Sequence, residues 1–451
     1  MRNVLMNRLK KALTFAALVA VALVTASCSK TLIPDDGGGK GGFSRVVTPE
    51  TPNVLLLYSA GFNTLSVELE DDVRDLESGW LPLAGSASDV LLVYSRRVSS
   101  SRDFSDKTPS YLIRLASDGW GNVVRDTLKT YPADTVAASV YTFEDVLSSV
   151  NEMFPGGRYG MIFSSHASGW VPPGYYSTGK INDFSVPLNY EAMSAEGRRR
   201  VMSMPVQYVS TEEALPGPAV KSIGVDNINK TSTYEMELEA FAAAIPMKME
   251  YIIFDACLMG GVEVAYALKD KCHYVVFSQT EVLADGLCDY KTLTGRLLNK
   301  RVPALVELCQ DSWEHYSSQP EEVNRSLTIS MVDCSRLELL ASVCSELFSK
   351  YRTGMLTLWP DDVQGFFRGR KHWFYDLRDI MKKAKASDED LATLDDALSK
   401  CVLYEAASDY FISVKINTSC GLSMYLPADG SADLNSYYRT LSWNKATGLV
   451  I

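Results

Sequence analysis

The chain has 451 residues, 46% of them hydrophobic and 22% charged, with a formal net charge of −11. That length suits one large α/β domain with additions or two domains, and the hydrophobic share excludes disorder over most of it. The acidic balance argues against a nucleic-acid partner, because an acidic surface repels phosphate, and it favours basic ligands.

Met1 to Ser27 carries Arg2, Arg8, Lys10 and Lys11 without an acid, then an apolar run from Ala12 to Val24, then small residues before Cys28. The run is short for a membrane span, and small residues ahead of a cysteine suit cleavage with lipid attachment there. Residues 1–27 therefore read as a lipoprotein signal peptide with Cys28 as the lipid attachment site. The alternative is a plain secretory signal cut elsewhere; Thr25 stands where such cleavage motifs usually carry leucine. Residues 28–50 include D-D-G-G-G-K-G-G (Asp35 to Gly42) and read as a flexible tether. The expected location is a bacterial cell envelope, at the outer membrane or cell surface, with the membrane as a partner through the lipid.

Val54 to Tyr58 predicts the first strand, and Leu65 to Glu77 a crossover helix ended by Gly79. Val90 to Ser95 is the next strand, Arg96 to Thr108 a loop, and Tyr111 to Leu115 with Val123 to Thr127 a hairpin. Thr142 to Met153 is an amphipathic helix with Thr142 as its N-cap. It leads into Tyr159 to Ser164, a short strand that delivers His166, one of four histidines in the chain. Periodicity dissolves over 171–221, which reads as an insertion containing Arg198, Arg199 and Arg200. Thr233 to Ala244 predicts a helix.

Tyr251 to Gly261, Y-I-I-F-D-A-C-L-M-G-G, is a buried strand running into Asp255 and Cys257. Val262 to Leu268 continues at helical spacing, which places the thiol near a helix N-terminus, a location that lowers its pKa. Tyr274 to Ser278 is the next strand, and the loop from Gln279 to Tyr290 holds Glu281 and Asp285. Leu297 to Ile451 is mostly helical, with a strand at Leu327 to Val332 and strand-like runs at Phe411 to Ile416 and Leu422 to Leu426. His315 and His372 read as surface or packing residues, and His273 lacks metal-ligand spacing. No pair among the nine cysteines is spaced C-x-x-C, so most read as buried thiols rather than a disulfide framework or a zinc site.

Open α/β sheets bind ligands beyond the carboxyl ends of their strands. A histidine and a cysteine at two such ends can meet as a nucleophilic pair, a thiolate with an imidazole to handle protons. Taken singly, each is as readily core packing. A cysteine phosphatase would need arginine six residues beyond the cysteine, where this chain has Glu263; no G-x-S-x-G elbow stands at a strand exit, and no H-E-x-x-H occurs.

F-D-A-C-L-M with G-V-E-V-A-Y (Phe254 to Tyr266), H-A-S-G-W (His166 to Trp170) and G-L-S-M-Y-L-P (Gly421 to Pro427) together resemble the clostripain-like cysteine peptidases of the caspase-like clan. Y-S-A-G-F-N-T-L resembles a degraded form of that family's opening motif, with Asn63 before Leu65. Gly224 and Asp226 resemble its short segment ahead of the cysteine strand. The resemblance implies a caspase-like three-layer α/β sandwich with a mostly parallel central sheet: a catalytic core over 51–300 with the insertion 171–221, and a mostly helical C-terminal part over 301–451 that completes the sheet. It implies His166 and Cys257 as a catalytic dyad, with the backbone amides of Ala167 and Cys257 as an oxyanion hole. Ala167 departs from the glycine that usually follows the histidine.

The implied reaction is endopeptidase cleavage after arginine or lysine, with Asp255 and Asp285 as substrate-binding acids. The bland readings of these acids are a structural acceptor for Asp255 and a turn residue for Asp285. The implied substrate is a protein or peptide, and the protein is expected to be a monomer. No cofactor or metal site is called for, though the resemblance leaves calcium dependence open. The triple arginine is either solvated surface or, by the resemblance, an internal processing site. The rival reading is a lipid-anchored binding protein that keeps the fold and has little or no activity; Ala167 and the degraded opening motif favour it.

Overall fold

The computed structural model describes residues 51–98, 104, 106–175, 223–227, 233–368 and 373–451. Cys28, the tether, the triple arginine and His372 lie outside the described residues.

Every residue of strand β1 (Asn53–Gly61) after Asn53 is buried, and its side chains enter two separate cores. Val54, Leu56 and Tyr58 join one, while Leu55 and Leu57 join the other. A strand apolar on both faces needs a layer on each side, which is the physical basis of a three-layer fold. Burial of each large apolar side chain contributes about 1.5–3 kcal/mol. Strands β2 (Asp89–Arg97), β3 (Ser110–Ser117), β4 (Val123–Tyr131) and β5 (Arg158–Ser164) follow. A small hairpin of β6 (Ile223–Asn227) and β7 (Thr233–Met236) stands apart from the main sheet. Next come β8 (Met249–Asp255), β9 (Cys272–Phe277), β10 (Thr328–Asp333), the short β11 (Tyr375–Asp376) and β12 (Val402–Ala407).

Among the described residues the main sheet has nine strands in the order β12-β10-β9-β8-β5-β1-β2-β3-β4. The five central strands, β9 to β2 in that order, are parallel, and antiparallel pairs flank them on both sides. Helices α1 (Ser66–Ser78) and α2 (Val140–Met153) cover opposite faces: Leu76 of α1 joins the core with Leu55, and Phe143 of α2 the core with Tyr58.

Four sequence expectations need correction. The cap of α2 is Ser139, whose Oγ accepts the Thr142 N–H at 3.2 Å, so the helix begins earlier than Thr142. Thr233 starts strand β7, and helix α3 spans only Leu238–Ala243, capped by Glu237. The edge strand β12 lies in a stretch read as helical. The late strand-like runs shrink to two-residue pairs, Tyr410–Phe411 with Val414–Lys415, and Ser423–Met424 with β11.

Among the described residues the cysteines are free, and Cys272, Cys288, Cys309, Cys334, Cys344 and Cys401 are buried, as the spacing led us to expect. No helix of the described residues is long and apolar enough to cross a membrane.

Candidate active site

Strands β5 and β8 are parallel neighbours, and their last paired residues are Ser164 and Asp255. His166 and Cys257 each stand two residues beyond that pair, so the sheet register brings them to the same edge. Both line one cavity of about 190 Å³, together with Asp255, Glu281, Val282 and the inner face of α1.

The two loops that carry them are in close contact. Gly169 has φ +59°, and a Cβ there would come within 2.6 Å of the Leu258 carbonyl oxygen, so only glycine fits. Leu258 is itself a non-glycine residue at φ 61°, held by its N–H donating to the Thr280 oxygen at 2.8 Å. Strain beside a candidate nucleophile, over-determined by surrounding bonds, is a common feature of functional loops. Behind it, Gly260 N–H donates to Ser278 at 2.7 Å, and Ser423 of the G-L-S-M-Y-L-P stretch donates its N–H to Gly260 at 2.8 Å. Trp170 packs against Phe374, Tyr425 and Tyr438, fixing the histidine loop to the C-terminal part.

Thr64 Oγ1 lies 2.8 Å from His166 Nε2 and orients the imidazole. Asn63, buried, ties the opening loop to its surroundings: its amide nitrogen donates to Ala60 and Val225 oxygens at 2.8 Å each, and its Oδ1 accepts the Leu65 N–H at 2.8 Å. The asparagine of the opening motif is thus a structural hub, and its neighbour Thr64, which sequence reasoning missed, touches the histidine. Asp226 is also structural. It is buried in an ion pair with Arg96 and accepts the Ala137 N–H at 2.6 Å.

Cys257 differs from expectation. Its Sγ accepts the Val282 N–H at 3.3 Å, and burial pushes its pKa up to about 12, with the charges of Glu281 and Asp255 adding to the rise. Helix α4 (Val262–Ala267) begins five residues on and has only six residues. The intervening non-helical loop explains why no lowering by the helix terminus results. The backbone amides of Ala167 and Cys257 donate to no protein acceptor among the described residues.

Four carboxylates line the cavity. Asp255 accepts from Tyr290 OH at 2.6 Å, Leu287 N–H at 2.7 Å and Ser164 OH at 3.2 Å, and burial raises its pKa. Glu281 is held on two oxygens by Arg368. The remaining two, Glu68 and Asp72 of α1, were not foreseen as site residues. Asp285 is exposed and lines an adjoining cavity of about 350 Å³ instead. The structure therefore gathers His166, Cys257 and Asp255 in one cavity and leaves Asp285 outside it. Among the described residues, no group of three or more His, Cys, Asp or Glu side chains is arranged to hold a metal ion.

The sequence model of the clostripain family matches residues 208–448, more than half of the chain. The chain belongs to the clostripain family. It is thereby a member of a family of cysteine peptidases, and its three-layer fold with a mostly parallel sheet is the caspase-like one. An inactive zymogen C11 protease from Parabacteroides distasonis superposes with a TM-score of 0.66 at 23% identity, covering 89% of this chain and 99% of its own. A secreted C11 cysteine protease of Bacteroides thetaiotaomicron, iotapain, gives a TM-score of 0.65 at 24% identity, covering 88% and 99%. At these identities the two structures speak to the fold alone. No curated protein matches the chain.

Proposed function

We propose that this clostripain-family protein is a cysteine endopeptidase that cleaves after arginine or lysine. The observation that carries the reading is the shared cavity of His166 and Cys257, each two residues past a paired position on neighbouring parallel strands. In the reaction, Cys257 passes its proton to His166 and the thiolate attacks the scissile carbonyl carbon. The amides of Ala167 and Cys257 hold the oxyanion. The C–N bond then breaks as His166 returns the proton to the leaving amine, and water hydrolyses the thioester.

The form described is latent in one respect, because burial outweighs the Val282 N–H bond that favours the thiolate and pushes the thiol up to about 12, so that it ionises poorly at neutral pH. Activity therefore requires His166 to take the proton as the thiol attacks. The carboxylates around the cavity support selection of a cationic side chain. Lipid attachment at Cys28 and an envelope location are part of the same proposal, in keeping with the secreted relative.

The test is hydrolysis of paired fluorogenic peptides ending in arginine, lysine, aspartate or leucine by wild type, Cys257→Ala and His166→Ala. Each variant should stay folded and lose roughly a thousandfold or more in rate, and the double variant should lose no more than either single, since a dyad acts as a unit. Wild-type-like turnover by either single variant would overturn the assignment.

A further inference from the structure

The parallel strands that end beside His166 and Cys257 begin at the opposite edge of the sheet, and the chain enters the fold there. Pro52, just ahead of β1, accepts the N–H of Arg158 at the start of β5, at 2.8 Å. Register places three loops on the same edge. Asn53 pairs with Asp89 at the start of β2, and antiparallel pairing of β2 with β3 sets Leu91 opposite Leu115, so the turn from Asp118 to Asn122 between β3 and β4 stands at that edge. Leu83 is bridged to Ser117 at the foot of the turn. The loop after Leu298 joins them: Asn53 Nδ2 donates to the Lys300 oxygen at 3.2 Å, and the Asn299 N–H donates to Asp89 at 3.1 Å.

Each of these loops shows an apolar side chain to solvent. Trp120 is 91% exposed, Val302 70% and Leu83 59%. One exposed apolar residue is ordinary, but here three share an edge. Trp120 is also held out by its turn. Asp118 accepts the Trp120 N–H at 2.7 Å, the Asn122 N–H at 3.1 Å and the Asn122 amide at 2.7 Å, so the one acid of the turn is engaged in fixing it. Gly119 and Gly121, at φ +84° and +96°, give the backbone the conformation this needs. Lys300 and Arg301 are exposed beside Val302, and neither side chain forms an ion pair among the described residues.

We propose that this edge rests on the lipid surface to which the chain is anchored, with Trp120 seated at headgroup level, Leu83 and Val302 beside it, and Lys300 and Arg301 against anionic headgroups. The proposal rests on the reading of Cys28 as lipid-attached. A flexible tether over 28–50 has a root-mean-square span of roughly 25 Å. It joins the fold ahead of β1, so this edge, of the two, is the one held near the bilayer. The other edge stands off, because the seven residues of β5 alone span roughly 20 Å. Tryptophan suits such an interface, having an apolar body and an N–H that stays wet, and surface cations add attraction to anionic lipid. His166 and Cys257 then open away from the bilayer, toward soluble protein rather than membrane-embedded chain.

The experiment uses the protein as it matures in the cell, reconstituted into vesicles of phosphatidylethanolamine with a minority of phosphatidylglycerol, their acyl chains brominated to quench tryptophan on contact. The chain has seven tryptophans. Trp359, 68% exposed, is the control, because its neighbour Pro360 lines a cavity with Arg368, which binds Glu281 at the edge of Cys257. Wild type should lose the emission of one tryptophan. Trp120→Ala should lose none, and Trp359→Ala as much as wild type. Wild type left unquenched on the vesicles, or quenching that persists in Trp120→Ala, overturns the proposal. Intact mass checks the anchor separately. If wild type carries no acyl chains, the anchoring reading fails and the surface is judged alone, by sedimentation of Cys28→Ser with the same vesicles. Binding that weakens about tenfold or more with Trp120→Ala added, the worth of one buried large apolar side chain, keeps the surface. No binding, or binding indifferent to Trp120, overturns it.

Discussion

The backbone N–H of Val282 donates to the Cys257 thiol at 3.3 Å, and the residue before it, Glu281, is clamped by Arg368. Arg368 comes from a segment 87 positions away in sequence, so a distant part of the chain pins the strip bonded to the Cys257 thiol. The Val282 bond favours the thiolate, but burial outweighs it, so the thiol reacts slowly, since thiolate is the nucleophile and burial disfavours its charge.

Alkylation measures that directly. In unprocessed protein, the rate of Cys257 modification by iodoacetamide should climb steadily to pH 10 without levelling, consistent with a pKa near 12. Cys257→Ala provides the background from other thiols. A plateau below pH 9 would show an activated thiolate already present, against the described geometry.

Thr64 offers a second handle. Its hydroxyl is 2.8 Å from His166 Nε2, so Thr64→Val removes an orienting partner while keeping shape. The expected result is a fall in kcat of roughly tenfold with KM and melting temperature little changed, in the range of one positioned hydrogen bond. Asn63→Ala should behave differently. It abandons buried bonds to Ala60, Val225 and Leu65, and a loss of about 2–3 kcal/mol in stability is expected. If Thr64→Val lowers stability as much as Asn63→Ala does, Thr64 is a structural residue and its contact with the histidine is incidental.

The positions of His166 and Cys257 were legible because each follows a continuous apolar run, and such runs mark strands buried on both faces. The thiol's pKa was not legible. It depends first on burial of the thiol, which outweighs the Val282 N–H bond, and both are set by folding. Strand β12 escaped notice because it is a half-exposed edge that follows directly on the helix Asp388–Cys401, so its sequence carries no clean alternation. Glu68 and Asp72 did leave a signal: acids on the apolar stripe of α1. Reading Leu65 to Glu77 only as a crossover helix passed over it.

Two buried glutamates predict how stability varies with pH. Glu263 accepts from Tyr438 OH at 2.6 Å and Tyr425 N–H at 2.8 Å, and burial lifts it to about 7; burial does the same to Glu237, which accepts from Tyr437 OH. In the unfolded chain both revert to 4.5. Between those values the folded state binds more protons than the unfolded one, so stability falls as pH rises from about 4.5 to about 7 and is level above that. Glu263→Gln mimics the protonated form. It should match wild type at pH 5 and exceed it at pH 8 by on the order of 2–3 kcal/mol in denaturant melts. A variant less stable at both pH values would show that the carboxylate itself is needed.

The last prediction concerns residues 176–221, the part of the insertion that lies outside the described residues. Its flanks are fixed on the side of the fold that carries His166 and Cys257. Tyr175 is buried, with its hydroxyl 2.6 Å from Ser431 Oγ, and Gly224 donates its N–H to the His166 carbonyl at 3.0 Å. A segment that returns to the chain beside His166 is present at high effective concentration, which favours cutting in cis. It carries Lys180, Arg198, Arg199, Arg200 and Lys221, the side chains that the carboxylates around the cavity would accept. Cleavage there would leave the fragments together, because β5 on one side and β8 on the other pair within one sheet. Wild type and Cys257→Ala, expressed side by side, should differ in intact mass: wild type cut after a basic residue in this segment, the variant whole. Blocking the cut by replacing the five basic residues should then slow peptide hydrolysis, if the uncut segment restrains the site. A fully active wild type that remains a single chain would assign the segment to the surface rather than to activation.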